Sequence, residues 1–329
     1  MFASQAVTRY ETLYNRILDV TACFNIPLKS FAIYVIIRHT PPQLRHHSFF
    51  IINTMLWNFL ANFVFAGMHL YPLFPAICLR VDGISSHFID SEVYGQFMFI
   101  LMFFLITECG IALVFAYPHR YIVFAHPKLA VRIRPARVFR MCAAIHVIFA
   151  LFYFPLVIAW TISYDKYPNK AELPERPFVF CFYPNGIRKI GNLVAYVMLI
   201  ATGSFVIVAS SFLFLLKVKR LEKRIIHDDT HALQKKVFLS LLMLTAIALF
   251  FGAIPILAFI CAASFPYTPY ANEATLVFIV VLCNHGTVSA IAYLVSFKSY
   301  RDAVKRMISN QIAKLTERKS KVHSFEIAS

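Results

Sequence analysis

Two histidines four residues apart, His227 and His231, form the pattern most typical of metal binding in this sequence. On a helix that spacing places both imidazoles on one face, where they can bind a metal ion. A membrane desaturase needs several such histidine boxes, and the remaining histidines supply no second box with this close spacing. We therefore interpret the pair as part of a solvated loop and predict no metal site, no cofactor and no enzymatic activity.

Two ionisable side chains, Glu108 and Lys29, interrupt stretches of the chain that are otherwise free of charge. An ionisable residue within a membrane span is a candidate functional site, because its burial in lipid is costly. Three roles are open for Glu108: contact with a polar ligand, an ion pair with Lys29, or a hydrogen bond from its protonated form to a neighbouring helix.

Arg120 lies at the end of the third apolar stretch. Its planar guanidinium can bind the peptide backbone of a signalling partner, or hold an inactive state against an acceptor on the same side. It can equally be one of the basic residues that flank membrane spans on the inner side. Both interpretations remain open at the level of sequence.

Five of the seven cysteines lie within apolar stretches, where a free thiol packs as a small hydrophobe. Cys78 and Cys181 lie in two connecting loops, on the side that we expect to be oxidising. We predict a disulfide between these two cysteines, with two unpaired thiols as the alternative.

Membrane-spanning helices must position these residues, because 59% of the 329 residues are hydrophobic and only 15% are charged. Seven stretches are nearly free of charge and long enough to span: 20–37, 48–79, 93–119, 141–164, 190–216, the first part of 237–272, and 274–297. They are apolar all round, unlike the alternating strands of a β-barrel. The sequence therefore predicts an all-α membrane protein with a bundle of seven transmembrane helices.

The net charge of +16 is distributed unevenly, since 23 of the 32 Lys and Arg residues fall on the side of the bundle that carries the tail. Basic residues favour the cytosolic side, so we predict an outside N-terminus and a cytosolic C-terminus. The expected organisation is an extracellular segment 1–16, a seven-helix domain 17–298 and a cytosolic tail 299–329. The excess charge is thus interpreted as a topology signal, without a nucleic-acid partner.

The inner side offers two basic amphipathic surfaces. The fifth span continues inward with Lys219, Arg220 and Lys223, where a signalling partner can dock. The tail has apolar residues at helical spacing with basic residues such as Arg301 between them. This pattern predicts a helix that lies on anionic lipid of the inner leaflet.

The outer half of the third span is rich in aromatic and sulfur side chains, including Met98, Met102 and Phe103. Most of them are expected to pack in the bundle, and some are expected to line a mostly apolar ligand cavity. Glu108 is the polar candidate for the same cavity. In the sixth span, Pro255 is predicted to kink the helix and to act as a pivot.

Local motifs add a more specific indication, at both ends of the seven-span region. They are Ile26-Pro27 through Tyr34, Thr40-Pro41-Pro42, Asn53, Trp57, Pro72-Leu73-Phe74-Pro75, His285-Gly286-Thr287-Val288-Ser289 and Tyr300-Arg301. Together they resemble the nematode serpentine receptor class H chemoreceptors over nearly the whole chain. The sister class I shares this layout.

The resemblance implies a G-protein-coupled receptor that binds a small-molecule odorant, tastant or pheromone on its outer side and signals to a heterotrimeric G protein. It further implies a location in the plasma membrane, in the sensory cilia of chemosensory neurons. Arg120 and Tyr121, with the basic residues of the fifth span, are then the candidates for G-protein coupling. A multi-span transporter of a small solute is the alternative function.

Two departures from the family pattern affect the expected switch. The third span ends in Tyr117-Pro118-His119-Arg120-Tyr121, without the acidic residue that family members commonly carry before the arginine. Asn62 stands near the place where they commonly carry an acidic residue in the second span. The Asn-Pro-x-x-Tyr motif of rhodopsin-like receptors is also absent from span seven.

Overall fold

The computed structural model describes residues 2–41, 45–87, 91–126, 135–173, 179–222 and 242–328. Within these ranges the long helices are α1 (Phe2–His39), α2 (Arg45–Met68), α3 (Glu92–Ala125), α4 (Pro135–Trp160), α5 (Ile187–Glu222), α6 (Leu242–Ser264), α7 (Ala271–Ser296) and α8 (Lys298–Ala328). Helices α1 to α7 are each long and apolar enough to cross a membrane. The predicted bundle of seven spanning helices is therefore confirmed.

Two helix boundaries differ from those that charge-free stretches indicate. Helix α1 begins at Phe2, well before the predicted span 20–37. Its first half contacts the α2–α3 connection, where Tyr14 bonds Leu70 and Glu11 lies 3.4 Å from Arg80. Helix α2 ends at Met68, although the charge-free stretch continues to Leu79. The next residue, His69, has a left-handed φ of 42°, which ends the helix.

A four-stranded antiparallel sheet lies at one end of the bundle, and the all-α prediction overlooked it. Its strands are β1 (Leu70–Pro72), β2 (Cys78–Val81), β3 (Thr161–Ile162) and β4 (Val179–Phe182), in the order β1-β2-β4-β3. The strands come from the α2–α3 and α4–α5 connections. We call this end of the bundle the sheet end, and the opposite end, where α8 begins, the tail end.

The predicted disulfide joins the two central strands of the sheet. Cys78 of β2 is directly opposite Cys181 of β4 in the antiparallel register, and their sulfurs are bonded. The bridge therefore ties together two interhelical connections that are 103 residues apart in the chain.

Side-chain contacts also fix the sheet to the bundle. Asn272, at the start of α7, exchanges two 2.9 Å hydrogen bonds with the backbone of Phe74. Tyr14 of α1 donates a 2.7 Å hydrogen bond to the carbonyl of Leu70. The sheet is thus held by the first and last spans as well as by its own connections.

Helix α6 changes its winding next to the predicted pivot. Leu249–Ala253 forms one π turn, in which the N–H of Ile254 donates to the carbonyl of Leu249. Pro255 follows two residues after Ala253 and is buried. A proline ring clashes with the carbonyl four residues earlier, so a local widening of the helix relieves that contact.

Helix α8 packs on the tail end with its first turns. The Tyr300 hydroxyl is 2.9 Å from that of Thr40, and Tyr300 and Ala303 are buried. Farther along, Ile308 and Ile312 are exposed. The apolar residues that the sequence places at helical spacing in the tail therefore form two groups. The first group contacts the bundle, and the second faces outward.

Candidate functional site

Three of the predicted ligand-pocket residues share one hydrophobic cluster at the sheet end. Met102 is buried, and Met98 and Phe103 are partly buried against the same cluster. The Phe103 ring lies 5.6 Å from that of Phe259 on α6 and 5.9 Å from that of Tyr196 on α5. The side chains of α3, α5 and α6 thus converge below the sheet.

Strand β4 closes this region from the sheet end. Its Phe180 and Phe182 are almost completely buried, and their rings lie 5.7 Å and 5.0 Å from the ring of Phe99 on α3. Gly95 makes this approach possible, because a Cβ there would lie 2.7 Å from the Phe180 ring. Sequence reasoning missed these two phenylalanines, although they flank the predicted bridging Cys181.

Glu108, the polar candidate for the ligand pocket, contacts helix α4. It is six residues, about 9 Å, farther along α3 than Met102, and it is fully buried. Its Oε2 contacts Nδ1 of His146 on α4. The suggested ion pair with Lys29 is wrong, since helix α4 supplies the closer partner.

Two residues of α2 extend the Glu108–His146 pair into a polar network within the spans. The Nε2 of His146 lies 3.3 Å from the amide nitrogen of Asn53. Trp57 donates a 3.1 Å hydrogen bond to the Asn53 amide oxygen. The network joins α2, α3 and α4, and among the described residues Oε1 of Glu108 has no hydrogen-bond partner.

Lys29 belongs to a second network, which joins α1, α2 and α7. The Lys29 side chain is 1% exposed, and its Nζ donates a 2.7 Å hydrogen bond to Oδ1 of Asn58. The Asn58 amide nitrogen lies 3.1 Å from Nδ1 of His285. Since Lys29 can only donate, it orients the Asn58 amide, and His285 accepts at Nδ1 as a neutral ring.

The residues of the predicted motif in α7 meet this network. A Cβ on Gly286 would overlap the Asn58 amide and lie 2.6 Å from Nζ of Lys29. Ser289, one turn later, lines a small cavity beside the same two side chains. Glycine at position 286 therefore provides the space in which Lys29 and Asn58 meet.

Nearby amides bind the backbone of α7. Asn25 of α1 and Asn62 of α2 donate to the carbonyl of Cys283, over 3.1 Å and 2.8 Å respectively. Thr287 donates in turn to the Asn25 amide oxygen. Asn62, which stands where an acidic residue is common in the family pattern, thus has a structural contact in this chain.

Arg120 is buried at the tail-end half of α3, with 6% of its surface exposed. Its electrostatic neighbours are Tyr293 and Tyr117. Among the described residues its Nε and Nη1 have no hydrogen-bond partner. A flanking arginine that only marks topology would be expected to reach solvent, so this burial distinguishes Arg120 from the exposed basic residues around it.

The other candidates for coupling are at the same end of the bundle. Tyr121 is half-buried, and Lys219 and Arg220 on α5 are exposed. Lys223, like the pair His227 and His231, lies outside the described residues. Among the residues that are described, no group of three or more His, Cys, Asp or Glu side chains could hold a metal ion.

Arg301 caps α7, since its Nη1 donates a 2.6 Å hydrogen bond to the carbonyl of Val295. With Tyr300 bonded to Thr40, the predicted Tyr-Arg motif sets where α8 leaves the bundle. Burial raises the pKa of the Tyr300 hydroxyl, and its hydrogen bond to Thr40 opposes that rise.

An electrostatic cluster connects α1 to the sheet. Arg80 of β2 bonds Asp82 through Nε and Nη2 and lies 3.4 Å from Glu11 of α1. Burial lowers the pKa of His69, although Asp19 lies 3.7 Å away and opposes this shift. The buried His69 ring is therefore neutral near neutral pH.

The family model of the serpentine type 7TM GPCR chemoreceptor Srh matches residues 10–310. A solved structure with the same fold is the crystal structure of squid rhodopsin, with a TM-score of 0.67 and 14% identity, covering 90% of this chain and 80% of that chain. A search of curated proteins finds no significant match.

The matched region includes all seven spanning helices and the first turns of α8. It covers the motifs at both ends of the chain on which the sequence resemblance rests. The chain therefore belongs to the serpentine type 7TM GPCR chemoreceptor Srh family.

Proposed function

We propose that this seven-helix receptor binds a small chemical ligand at its sheet end and signals to a heterotrimeric G protein at its tail end. The observation that carries the proposal is the chemoreceptor family match over residues 10–310. The ligand is expected to be an odorant, a tastant or a pheromone. The protein acts in the plasma membrane, in the sensory cilia of chemosensory neurons.

The expected ligand region is the cluster beneath the sheet. Its walls are apolar and aromatic, with Met98, Met102 and Phe103 on α3 and Phe259 on α6. Such walls favour a small, mainly apolar molecule that is recognised by shape. Methionine side chains can repack around such a ligand, which suits a receptor for volatile compounds.

The Glu108–His146 pair argues against direct ligand contact by Glu108. His146 already occupies Oε2, and the side chain points toward α4 instead of α5 and α6. Ligand dose–response curves with Glu108→Gln distinguish the roles. A structural role reduces the responses to all ligands in parallel, whereas a contact role reduces the response to some ligands selectively.

The proposed orientation places the sheet end outside the cell. The disulfide then lies in the oxidising compartment, and the basic ends of α5 and α8 face the cytosol. The exposed Ile308 and Ile312 of α8, with neighbouring lysines and arginines, fit the surface of an anionic inner leaflet.

Signal transfer is proposed to use α6. The π turn Leu249–Ala253 and Pro255 interrupt regular hydrogen bonding in the middle of this helix, so its tail-end half can tilt at low cost. Outward movement of that half would open the region around the buried Arg120 to a G protein. Ligand binding then shifts the population between two packings.

The test is a ligand screen in cells that express the receptor with a G-protein activation sensor. Arg120→Ala is expected to retain surface expression and to reduce the ligand-evoked signal at least tenfold. Arg188→Ala is the matched control, because Arg188 is an exposed arginine that stacks 4.6 Å over Tyr183 at the sheet end. Unchanged signalling by Arg120→Ala at matched expression would refute its role.

A second measurement separates the receptor from the transporter. The same cells are supplied with a labelled form of any active ligand, and its uptake is measured. A receptor shows sensor activation without net accumulation of the ligand. Accumulation against a concentration gradient, without sensor activation, would favour the transporter.

A further inference from the structure

The Lys29 network borders a cavity of about 20 Å³ in the interior of the bundle. Its walls come from α1, α2, α3, α6 and α7, and the lining residues used below are Lys29, Asn58, Ala248, His285, Ser289 and Tyr293. One water-sized occupant needs roughly 10–15 Å³. The space therefore suits a monatomic ion or a single water, and it is too small for an odorant.

The lining carries an unbalanced positive charge. Among the described residues that line it, Lys29 is the sole charged side chain, since none of the others is an Asp, a Glu, an Arg or a Lys. Glu108 is engaged by His146 on another face of α3. His285 accepts at Nδ1 and is neutral, so it neither adds charge nor removes it.

Lysine in its ordinary ammonium form has three N–H donors and no acceptor. Lys29 acts as a donor here, through its 2.7 Å hydrogen bond to Asn58, a length that a charge-assisted donor can adopt. An ammonium that is buried without a counter-charge is very costly. Only one of its three hydrogens has an acceptor among the described residues, and the cavity lies beside the others.

We propose that this cavity is a binding site for a small monovalent anion, such as chloride, held by the Lys29 ammonium beneath the Asn58–His285 pair. Ser289 and Tyr293 add hydroxyl groups to the lining, and hydroxyls donate hydrogen bonds to an anion. The remaining walls are mostly apolar, which favours a weakly hydrated halide over a strongly hydrated ion. A cation is excluded by repulsion from the ammonium.

The bound anion connects helices that the signalling proposal requires to move. Ala248, on its wall, directly precedes the π turn of α6, and Ser289 and Tyr293 lie on α7. An ion that contacts both helices stabilises the packing in which they are close. Chloride is thus expected to stabilise the conformation described by this structure.

The experiment measures thermal unfolding of the purified full-length receptor while gluconate is replaced by chloride or bromide at constant ionic strength. The melting temperature of the wild type is expected to rise by about 2 to 4 °C. Lys29→Met should lose this rise. Lys189→Met is the matched control, because Lys189 is also a buried lysine in a span but does not line the cavity, and it should retain the rise.

Two further measurements keep the test decisive where Lys29→Met fails to fold. Ala248→Val adds two methyl groups to the cavity wall and keeps Lys29 in the sequence, and it should abolish the chloride effect. Anomalous diffraction from bromide-soaked crystals should show one peak beside Nζ of Lys29. Equal melting temperatures in chloride and gluconate, or bromide absent from the cavity, would overturn the proposal and leave water as the occupant.

Discussion

Gly286 lies against the side chains of Asn58 and Lys29, and its lack of a Cβ decides whether that pair can form. The sequence motif around His285 is therefore explained by packing: the histidine accepts from Asn58, the glycine leaves room, and Ser289 lines the cavity. Through these contacts the α7 motif forms one side of the Lys29 network, and helices α1 and α2 supply the other residues of that network.

Replacing this glycine provides a direct test of that packing. Gly286→Ala places a Cβ into the Asn58 amide, so we expect the free energy of unfolding to fall by about 1 to 3 kcal/mol. The measurement is a thermal melt of the purified receptor in detergent. Gly110→Ala is the control, since no atom lies within 4 Å of the added carbon, and a small gain in helix stability is expected there. Equal melts for both variants would contradict the explanation.

His69 provides a residue-level prediction on pH. Burial lowers the pKa of His69 below its ordinary value of 6.5, so the folded state binds fewer protons than the unfolded state below that pH. The contribution of His69 to the free energy of unfolding is fully present above pH 6.5 and is lost as the pH falls. The melting temperature of the wild type should therefore decrease on acidification.

The matched variant is His69→Asn, because asparagine tolerates the left-handed φ of 42° at this position. It should reduce the loss of melting temperature between neutral and mildly acidic pH. His87→Asn, at an exposed residue of a short helical turn, should leave the loss unchanged. A pH dependence that is the same in the wild type and His69→Asn would show that other groups cause it.

At the scale of elements, strand β4 is the part that sequence patterning predicts least well. It has only four residues, all buried, and its place is set by pairing with β2 and by the phenylalanines that pack on α3. Short apolar strands next to long apolar helices have no distinct periodicity. In the sequence, the two loop cysteines are the feature that indicates contact between the α2–α3 and α4–α5 connections.

The disulfide is expected to hold β4 in place. Closing a loop of about a hundred residues stabilises the folded state by up to about 4.7 kcal/mol in the chain-entropy model. Cys78→Ala with Cys181→Ala should lower the melting temperature and the surface level of the receptor. Cys261→Ala removes an exposed free cysteine and should change neither. Peptide mapping that finds both loop thiols free in the native receptor would disprove the bridge.

Helix α6 shows how a single residue changes an element. A π turn, Leu249–Ala253, lies just upstream of Pro255, and the identity of the proline alone does not specify it. The widened turn places Gly252 near the ring of His285, where an added Cβ would lie 3.8 Å from that ring. Contact with α7 thus accompanies the change in winding.

For the whole molecule, the orientation in the membrane is the main remaining prediction. The excess of basic residues at the tail end predicts that this end lies in the cytosol. An antibody against a tag before α1 should therefore stain intact cells, and one against a tag after α8 should stain only permeabilised cells. Flow cytometry gives both readings. Staining of the C-terminal tag on intact cells would reverse the assignment.

Much of this receptor follows from local sequence. The seven spans can be identified because a charge-free stretch of about 20 residues is typical of a transmembrane helix. The two loop cysteines can be paired because they lie outside the spans. The motifs of α7 and of the start of α8 indicate the family from the sequence alone. The sequence predicts the ends of α1 and α2 less accurately. Charged residues indicate where the chain leaves the lipid, and a helix can end before or after that point.

The partners of the buried polar residues were decided only by the tertiary structure. Glu108 and Lys29 are each a single ionisable residue in an otherwise charge-free stretch of the sequence. In the structure, Glu108 contacts His146 on α4 and Lys29 contacts Asn58 on α2. Each span is apolar on all sides, so hydropathy does not specify which face of a helix meets which neighbour. That choice depends on how side chains of different helices fit together, as at Gly286, and only the assembled bundle contains this information.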